Sequence, residues 1–222
     1  MGTDDLFHKR KARRLETHRR EKAKRAPYER ILIVCEGKKT EPHYFQGLRL
    51  ALRLYPANVV IEDRESGLDP KSIVAFAIET FKKDKDFDHI FCVFDKDKHI
   101  SYNAALDKIR AKRLAGGATL HAITSVPCFE IWLLLHFTFT THPFSAAGSD
   151  SNCALVIDAL DRKGRTLGYE KGSKDIFNVL SDKLETAISN AEKLENFHKT
   201  SGTDNPSTKV HELVQYLQSL KR

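Results

Sequence analysis

The sequence has few of the features that mark secreted or membrane proteins. It contains four cysteines in 222 residues, Cys35, Cys92, Cys128 and Cys153, and no C-x-x-C pair. This spacing argues against a zinc site and a disulfide framework, and it predicts four small buried hydrophobic side chains. No stretch approaches the roughly 20 consecutive apolar residues that cross a bilayer, and the N-terminus is charged where a signal peptide has its apolar core. We therefore expect a cytoplasmic protein with no membrane partner.

The sequence also lacks the Gly-x-x-x-x-Gly-Lys-[Ser/Thr] loop that holds nucleotide phosphates in many ATPases. Its length and its 41% hydrophobic content suit one main core and are too small for two full-size domains. The net charge of +7 is uneven, because residues 1–29 hold ten Lys/Arg against five Asp/Glu, or +5. We assign 1–29 as a basic N-terminal tail, which either docks on nucleic-acid phosphates or stays solvated.

After the tail, apolar strands alternate with amphipathic helices. The predicted strands are 30–35, 58–61, 89–94 and 118–124. The helices between them begin at Thr40, as the cap residue of its helix, and at Pro70 and Tyr102. This order predicts parallel strands joined by right-handed crossovers. We expect an α/β, Rossmann-like core over 30–140, with a mostly parallel four-stranded sheet flanked by helices. A helical C-terminal extension over 141–222 is expected to pack on this core, with helices near 153–161, 176–196 and 206–220.

Acidic side chains follow two of the predicted strands. Glu36 comes directly after the first strand, and Asp95 and Asp97 come after the third. If these strands are neighbours, the three carboxylates converge at one edge of the sheet. Crowded carboxylates usually hold a hard cation, Mg²⁺ or Mn²⁺, which also binds phosphate. The pattern predicts metal-assisted phosphoryl transfer, with Glu36 as ligand or general base and Gly37 allowing a phosphate or ion close to the backbone.

Four blocks of the sequence resemble the RloB family. They are R-I-L-I-V-C-E-G-x-x-T-E-x-x-Y-F at 30–45, D-x-D at 95–97, S-x-P-x-F-E-x-W-L-L-L-H-F at 125–137 and N-P-S-T at 205–208. The first two are also similar to the Toprim fold of topoisomerases, bacterial primases and OLD-family nucleases. That resemblance implies a Toprim-like fold and a metal site at Glu36, Asp95 and Asp97. It further implies an anti-phage, abortive-infection nuclease component with an ATPase partner encoded nearby.

Other residues are secondary candidates for the same site. Glu130 lies on an otherwise apolar helix, as a second metal ligand or as half of a buried ion pair. Lys171 or Lys174 would stabilise developing phosphate charge, as a lysine does in OLD-like nucleases, or would be an ordinary surface lysine. The candidates for substrate binding are Gly37, Lys38, Thr40, Asn205, Ser207 and Thr208.

Several of these candidates have a structural alternative. Asn205 and Pro206 suit the start of the last helix, where polar groups either cap the helix or bind a phosphate. His43 and His99 are either proton shuttles or partly exposed histidines. Glu41 is either an outer metal ligand or an acid that favours the helix dipole.

The leading hypothesis is a Mg²⁺-dependent endonuclease for DNA or RNA, with Glu36, Asp95, Asp97 and Glu130 holding the metal. A phosphatase with Asp95 as nucleophile is a second hypothesis, although such enzymes place D-x-D after the first strand. A catalytically silent module that binds nucleic acid or a partner is the third.

Overall fold

The computed structural model describes residues 28–62, 69–96, 99–146, 151–163 and 171–220. Asp97 and most of the basic tail lie outside these residues. The strands of the described chain are β1 Ile31–Cys35, β2 Val59–Glu62, β3 His89–Asp95, β4 Thr119–Val126 and β5 Ser207–Thr208. Its α-helices are α1 Thr40–Ala51, α2 Pro70–Lys83, α3 Tyr102–Ala111, α4 Glu130–Leu135, α5 Asn152–Lys163, α6 Ile176–Leu180, α7 Leu184–Ser201 and α8 Val210–Ser219.

The strands form one sheet in the order β2-β1-β3-β4-β5. The first four are parallel, which confirms the predicted α/β fold and its mostly parallel sheet, and β5 pairs antiparallel with β4. The prediction of four strands was therefore one short. The neighbouring positions of β1 and β3, on which the predicted site depends, are confirmed.

Both faces of the central strand β1 are covered, which explains its continuous run of apolar residues. Ile31, Ile33 and Cys35 lie in a core with side chains of α1, α4, α7 and α8. Leu32 and Val34 point to the other face, where α2 and α3 cover them. The C-terminal helices thus share the core of the sheet. Among the described residues, no helix has both the length and the apolar character for crossing a bilayer.

The segment around Pro206 differs from its prediction. Ser207 and Thr208 pair with Val126 and Ser125 of β4, so the last helix begins at Val210 rather than at Pro206. The prediction that Asn205-Pro206 starts the last helix was wrong, because the residues that follow are extended and pair with β4.

Two other predicted helix features need correction. Thr40 is not the cap of α1, because the helix already includes Thr40 and Lys39 occupies the cap position without a side-chain hydrogen bond. The helix predicted over 176–196 is two helices, α6 and α7, separated by a 3-10 turn at Ser181–Lys183. Helix α7 then runs on to Ser201, where Gly202 ends it with a left-handed backbone, φ 68°.

The cysteine prediction was right for two residues and wrong for two. Cys35 and Cys92 are buried, as expected. Cys128 and Cys153 form a disulfide, with their Cα atoms 5.7 Å apart. They are separated by 25 positions, and only the packing of α4 against α5 brings them together.

Candidate metal centre

The first two acids of the site are placed by neighbouring strand ends. Cys35, the last residue of β1, pairs with Val93 of β3, so both strands end at the same edge of the sheet. Glu36 then folds across this edge, and its Oε2 accepts a hydrogen bond from the Asp95 backbone N–H, with N and O 3.0 Å apart. The structure thus brings Glu36 and Asp95 together. Asp97 lies outside the described residues.

Two further acids come from helix N-termini that meet this edge. Glu41 is the second residue of α1 and Glu130 is the first residue of α4. Their exposed fractions are only 8% and 3%. The negative charges of both, together with that of Glu36, act on Asp95. We call Glu36, Glu41, Asp95 and Glu130 the acidic cluster.

The pKa values of the cluster record its burial and its mutual repulsion. The pKa of Glu41 is raised from 4.5 to about 7, mainly by burial. The charges of Glu130 and Glu36 contribute to this shift, while a backbone hydrogen bond and Lys171 oppose it. Burial also raises the pKa of Asp95 well above its usual 3.8, and the charges of Glu41, Glu36 and Glu130 add to this effect. A hydrogen bond with the Phe129 backbone opposes it. A bound cation would favour the ionised form of these groups.

Gly37 makes room for the Glu41 carboxylate. A Cβ on Gly37 would lie 2.2 Å from Glu41 Oε2 and 2.6 Å from Oε1, far inside van der Waals contact. We expected Gly37 to let a phosphate or an ion approach the backbone. In the structure the Glu41 carboxylate lies against Gly37, and a substrate role for Gly37 stays a prediction.

A turn at 171–175 brings positive charge to the cluster. Lys171 Nζ lies 3.7 Å from Glu130 Oε1; the Lys171 side chain is 69% exposed and that of Glu130 only 4%. The turn is fastened to α1, because His43 Nδ1 donates to the Gly172 carbonyl at 3.0 Å. Lys39 also packs closely on Gly172, whose φ is 88°. We call residues 171–175 the Lys171 turn.

Three other predicted residues lie around the cluster. His99 Nε2 is 3.2 Å from Glu36 Oε1, so it is in position for proton exchange, whereas His43 is engaged with the Lys171 turn. Thr40 Oγ1 is buried and has no hydrogen-bond partner among the described residues. Lys38 is exposed beside Gly37. Their roles with substrate stay predictions.

The N-P-S-T segment lies at the same edge but is used for structure. Ser125 of β4 pairs with Asp95 on one side and with Thr208 on the other, and the hydroxyls of Ser125 and Thr208 are 3.1 Å apart. Asn205 Nδ2 donates to the Phe144 carbonyl at 2.9 Å, and Asn205 Oδ1 accepts from the Phe144 N–H at 3.2 Å. Ser207 is half-buried. These contacts explain the segment without a ligand, and its substrate role stays a prediction.

The sequence left two interpretations of Glu41 open, an outer metal ligand or an acid that favours the helix dipole. Its burial depends on the contact with Gly37, and the signal was the spacing Glu-Gly-x-x-x-Glu at 36–41. The disulfide beside Glu130 left no signal in the cysteine spacing.

Comparison with known proteins identifies the family of the chain. A family model described as RloB-like protein matches residues 31–217, from the start of β1 into α8, and so includes the whole acidic cluster. No curated protein and no solved structure gives a significant match.

Proposed function

This chain belongs to the RloB-like protein family, and we propose that it is a divalent-cation-dependent nuclease that cleaves phosphodiester bonds of nucleic acid. The observation that carries the proposal is the acidic cluster. Four carboxylates meet at the carboxyl edge of a parallel sheet, where ligands of open α/β folds bind. A protein that kept these groups only for stability would gain by replacing them, because buried like charges are unfavourable.

The cluster has the chemistry of a Mg²⁺ or Mn²⁺ site. All its donors are carboxylate oxygens, which hard divalent cations prefer. The pKa values of Glu41 and Asp95 are raised, mainly by burial and further by the charges of the neighbouring acids, and a bound cation would offset this repulsion. Glu36, Glu41, Asp95 and Glu130 would hold the ion, and Asp97, two positions after the last residue of β3, would be a further ligand. Bound there, the ion would polarise the scissile phosphate and make water more acidic.

The surrounding side chains suit a phosphate substrate. Lys171 reaches the cluster from its exposed side, so its charge is available to a phosphate oxygen on which negative charge develops. The buried Thr40 hydroxyl offers a further donor. His99 orients Glu36 and is within reach to exchange a proton with it.

Nucleic acid as substrate is supported by charge. The chain has a net charge of +7, of which residues 1–29 carry +5, and such basic segments bind phosphate backbones by releasing counterions. The Toprim relationship, the ATPase partner and the role in abortive infection rest on the resemblance of the motifs. We include them in the proposal on that basis.

The aspartate-nucleophile phosphatase is less well supported. Asp95 would have to attack as a carboxylate, but its pKa is raised, and its N–H binds Glu36 at a different strand end. The silent binding module predicts that no acid of the cluster matters for catalysis or for metal binding.

The test combines metal binding with cleavage. Mn²⁺ is titrated calorimetrically into the wild type, Glu36→Gln, Asp95→Asn and the matched control Glu79→Gln, an exposed acid on α2 that pairs with Lys82. The same proteins are incubated with plasmid, single-stranded DNA and transfer RNA, with Mg²⁺ or with EDTA. We expect the wild type and the control to bind Mn²⁺ and to cleave, and both cluster variants to lose both properties.

The rival hypotheses give other results. Loss of hydrolysis in Asp95→Asn with normal activity in Glu36→Gln would favour the phosphatase. Wild-type protein that binds no Mn²⁺ would refute the nuclease proposal and leave the binding module.

A further inference from the structure

The disulfide touches the acidic cluster. Cys128 lies two residues before Glu130, and Cys153 is the second residue of α5. Cys153 Sγ is 3.3 Å from Glu130 Oε2, and ligand atoms of Cys128, Glu130 and Cys153 lie within 4.8 Å of one another. A change in the state of these sulfurs therefore acts directly on a residue of the proposed metal site.

We propose that Cys128 and Cys153 are a reversible thiol-disulfide site that sets the affinity of the acidic cluster for its divalent cation. This inference rests on the proposed function, since it concerns the same cation. Two observations motivate it. The two residues have the Cα separation of a disulfide, 5.7 Å, and Cys153 is partly exposed, so a small oxidant can reach its sulfur.

The covalent step is exchange with a small disulfide such as oxidised glutathione. Cys153 is partly exposed and Cys128 is 3% exposed, so Cys153 is the first to react. Its thiolate attacks the oxidant, forms a mixed disulfide and releases one thiol. The Cys128 thiolate then attacks Cys153 Sγ, forms the protein disulfide and releases the second thiol. Two protein thiols lose two electrons and two protons, and the oxidant takes up both as it becomes two thiols.

The two states present different surroundings to Glu130. In the reduced protein, Cys153 carries an S–H next to Glu130 Oε2, and donation of this hydrogen competes with a cation for the oxygen. Oxidation removes the hydrogen. It also ties α5 to the residue two positions before Glu130, which restrains the start of α4.

Both effects favour cation binding in the oxidised state. Changes to the partners of a metal ligand typically alter affinity by about 10- to 100-fold. We therefore expect oxidised protein to bind Mn²⁺ about tenfold more tightly than reduced protein.

The experiment measures the Mn²⁺ dissociation constant of the full chain by calorimetry in two states. One sample is oxidised with oxidised glutathione, and the other is reduced with dithiothreitol and freed of it under argon. Peptide mass spectrometry of each sample records whether the Cys128–Cys153 bond is present. Cys92→Ala is the matched control and should retain the tenfold response.

Substitution separates the two effects. Cys153→Ser keeps a donor next to Glu130 but cannot form the bond, so it should bind Mn²⁺ as weakly as reduced wild type under both conditions. Cys153→Ala has neither donor nor bond, so it should bind more tightly than the serine variant and also ignore the oxidant. Because the wild type is compared with itself, the inference is testable even if these variants fold poorly.

Failure of this inference can be distinguished from failure of the proposed function. Equal Mn²⁺ affinity in wild-type samples whose disulfide differs, or no linked peptide after oxidation, would overturn the redox site and leave the nuclease proposal standing. Absence of Mn²⁺ binding in both wild-type samples would overturn both.

Discussion

Glu41→Gln should stabilise the protein without added metal at neutral and higher pH, and it should weaken the proposed metal site. Burial raises the pKa of this carboxyl from 4.5 to about 7, and the side chain is 8% exposed. One pKa unit corresponds to about 1.4 kcal/mol. Keeping Glu41 ionised in the folded state therefore costs about 3 kcal/mol of stability once the pH exceeds the folded pKa.

The sign of the pH dependence follows from the direction of this shift. Below the unfolded pKa of 4.5 the group is protonated in both states and costs nothing. Between 4.5 and about 7 the unfolded chain ionises first, so the wild type loses stability as the pH rises. Glutamine does not titrate. The stability difference between Glu41→Gln and wild type should grow over this window and then level off.

The assay is urea unfolding in EDTA, followed by the fluorescence of Trp132, the single tryptophan of the chain, which is fully buried. Wild type and Glu41→Gln are compared at several pH values between about 5 and 8, with Glu79→Gln as the exposed control. Addition of Mn²⁺ at the highest pH should stabilise wild type more than the variant. A difference that stays constant with pH, or a variant less stable than wild type above pH 7, would refute the argument from burial.

Three further predictions concern the surroundings of the cluster. Gly37→Ala places a methyl group where the Glu41 carboxylate lies. Calorimetry should therefore show at least about a tenfold loss of Mn²⁺ affinity. Unchanged affinity would contradict the close approach of Glu41 to Gly37. Burial lowers the pKa of His136 to about 4. Acidification from about pH 6.5 to pH 4 should therefore destabilise the wild type by up to about 3 kcal/mol more than His136→Gln, as measured by urea unfolding. Parallel pH profiles of the two proteins would disprove this. His43→Ala releases the Lys171 turn and should lower cleavage about tenfold with Mn²⁺ affinity retained; equal cleavage would remove the positioning role of His43.

The parts of the fold that the sequence predicted are those dictated by local pattern. Long apolar runs such as Ile31–Cys35 identify strands covered on both faces, and their alternation with helices gives the parallel order. The positions of Glu36 and Asp95 follow, because parallel neighbouring strands end at one edge. Strand β5 could not be found in this way. A strand of two residues, Ser207 and Thr208, is too short to show a periodic pattern. It pairs with β4, and the neighbouring Asn205 is hydrogen-bonded to Phe144.

The candidate site was predictable only in part for a similar reason. Glu130 stood out as an acid in an apolar helix, and its burial at 3% matches that signal. The position of Glu41 in the cluster involves a close approach of its carboxylate to Gly37. Amino-acid composition does not reveal such a contact between a side chain and the backbone. The Cys128–Cys153 bond depends on how α4 and α5 pack, so no spacing rule identifies it.

The short strand β5 connects the last helix to the edge of the sheet that carries the acidic cluster. Ser125 is held between Asp95 and Thr208 in the ladder, and α8 begins two residues after Thr208. A displacement of this helix would therefore reach the acidic cluster through a single strand. A molecule that binds the outer face of α8 would therefore be able to influence the acidic cluster without entering it.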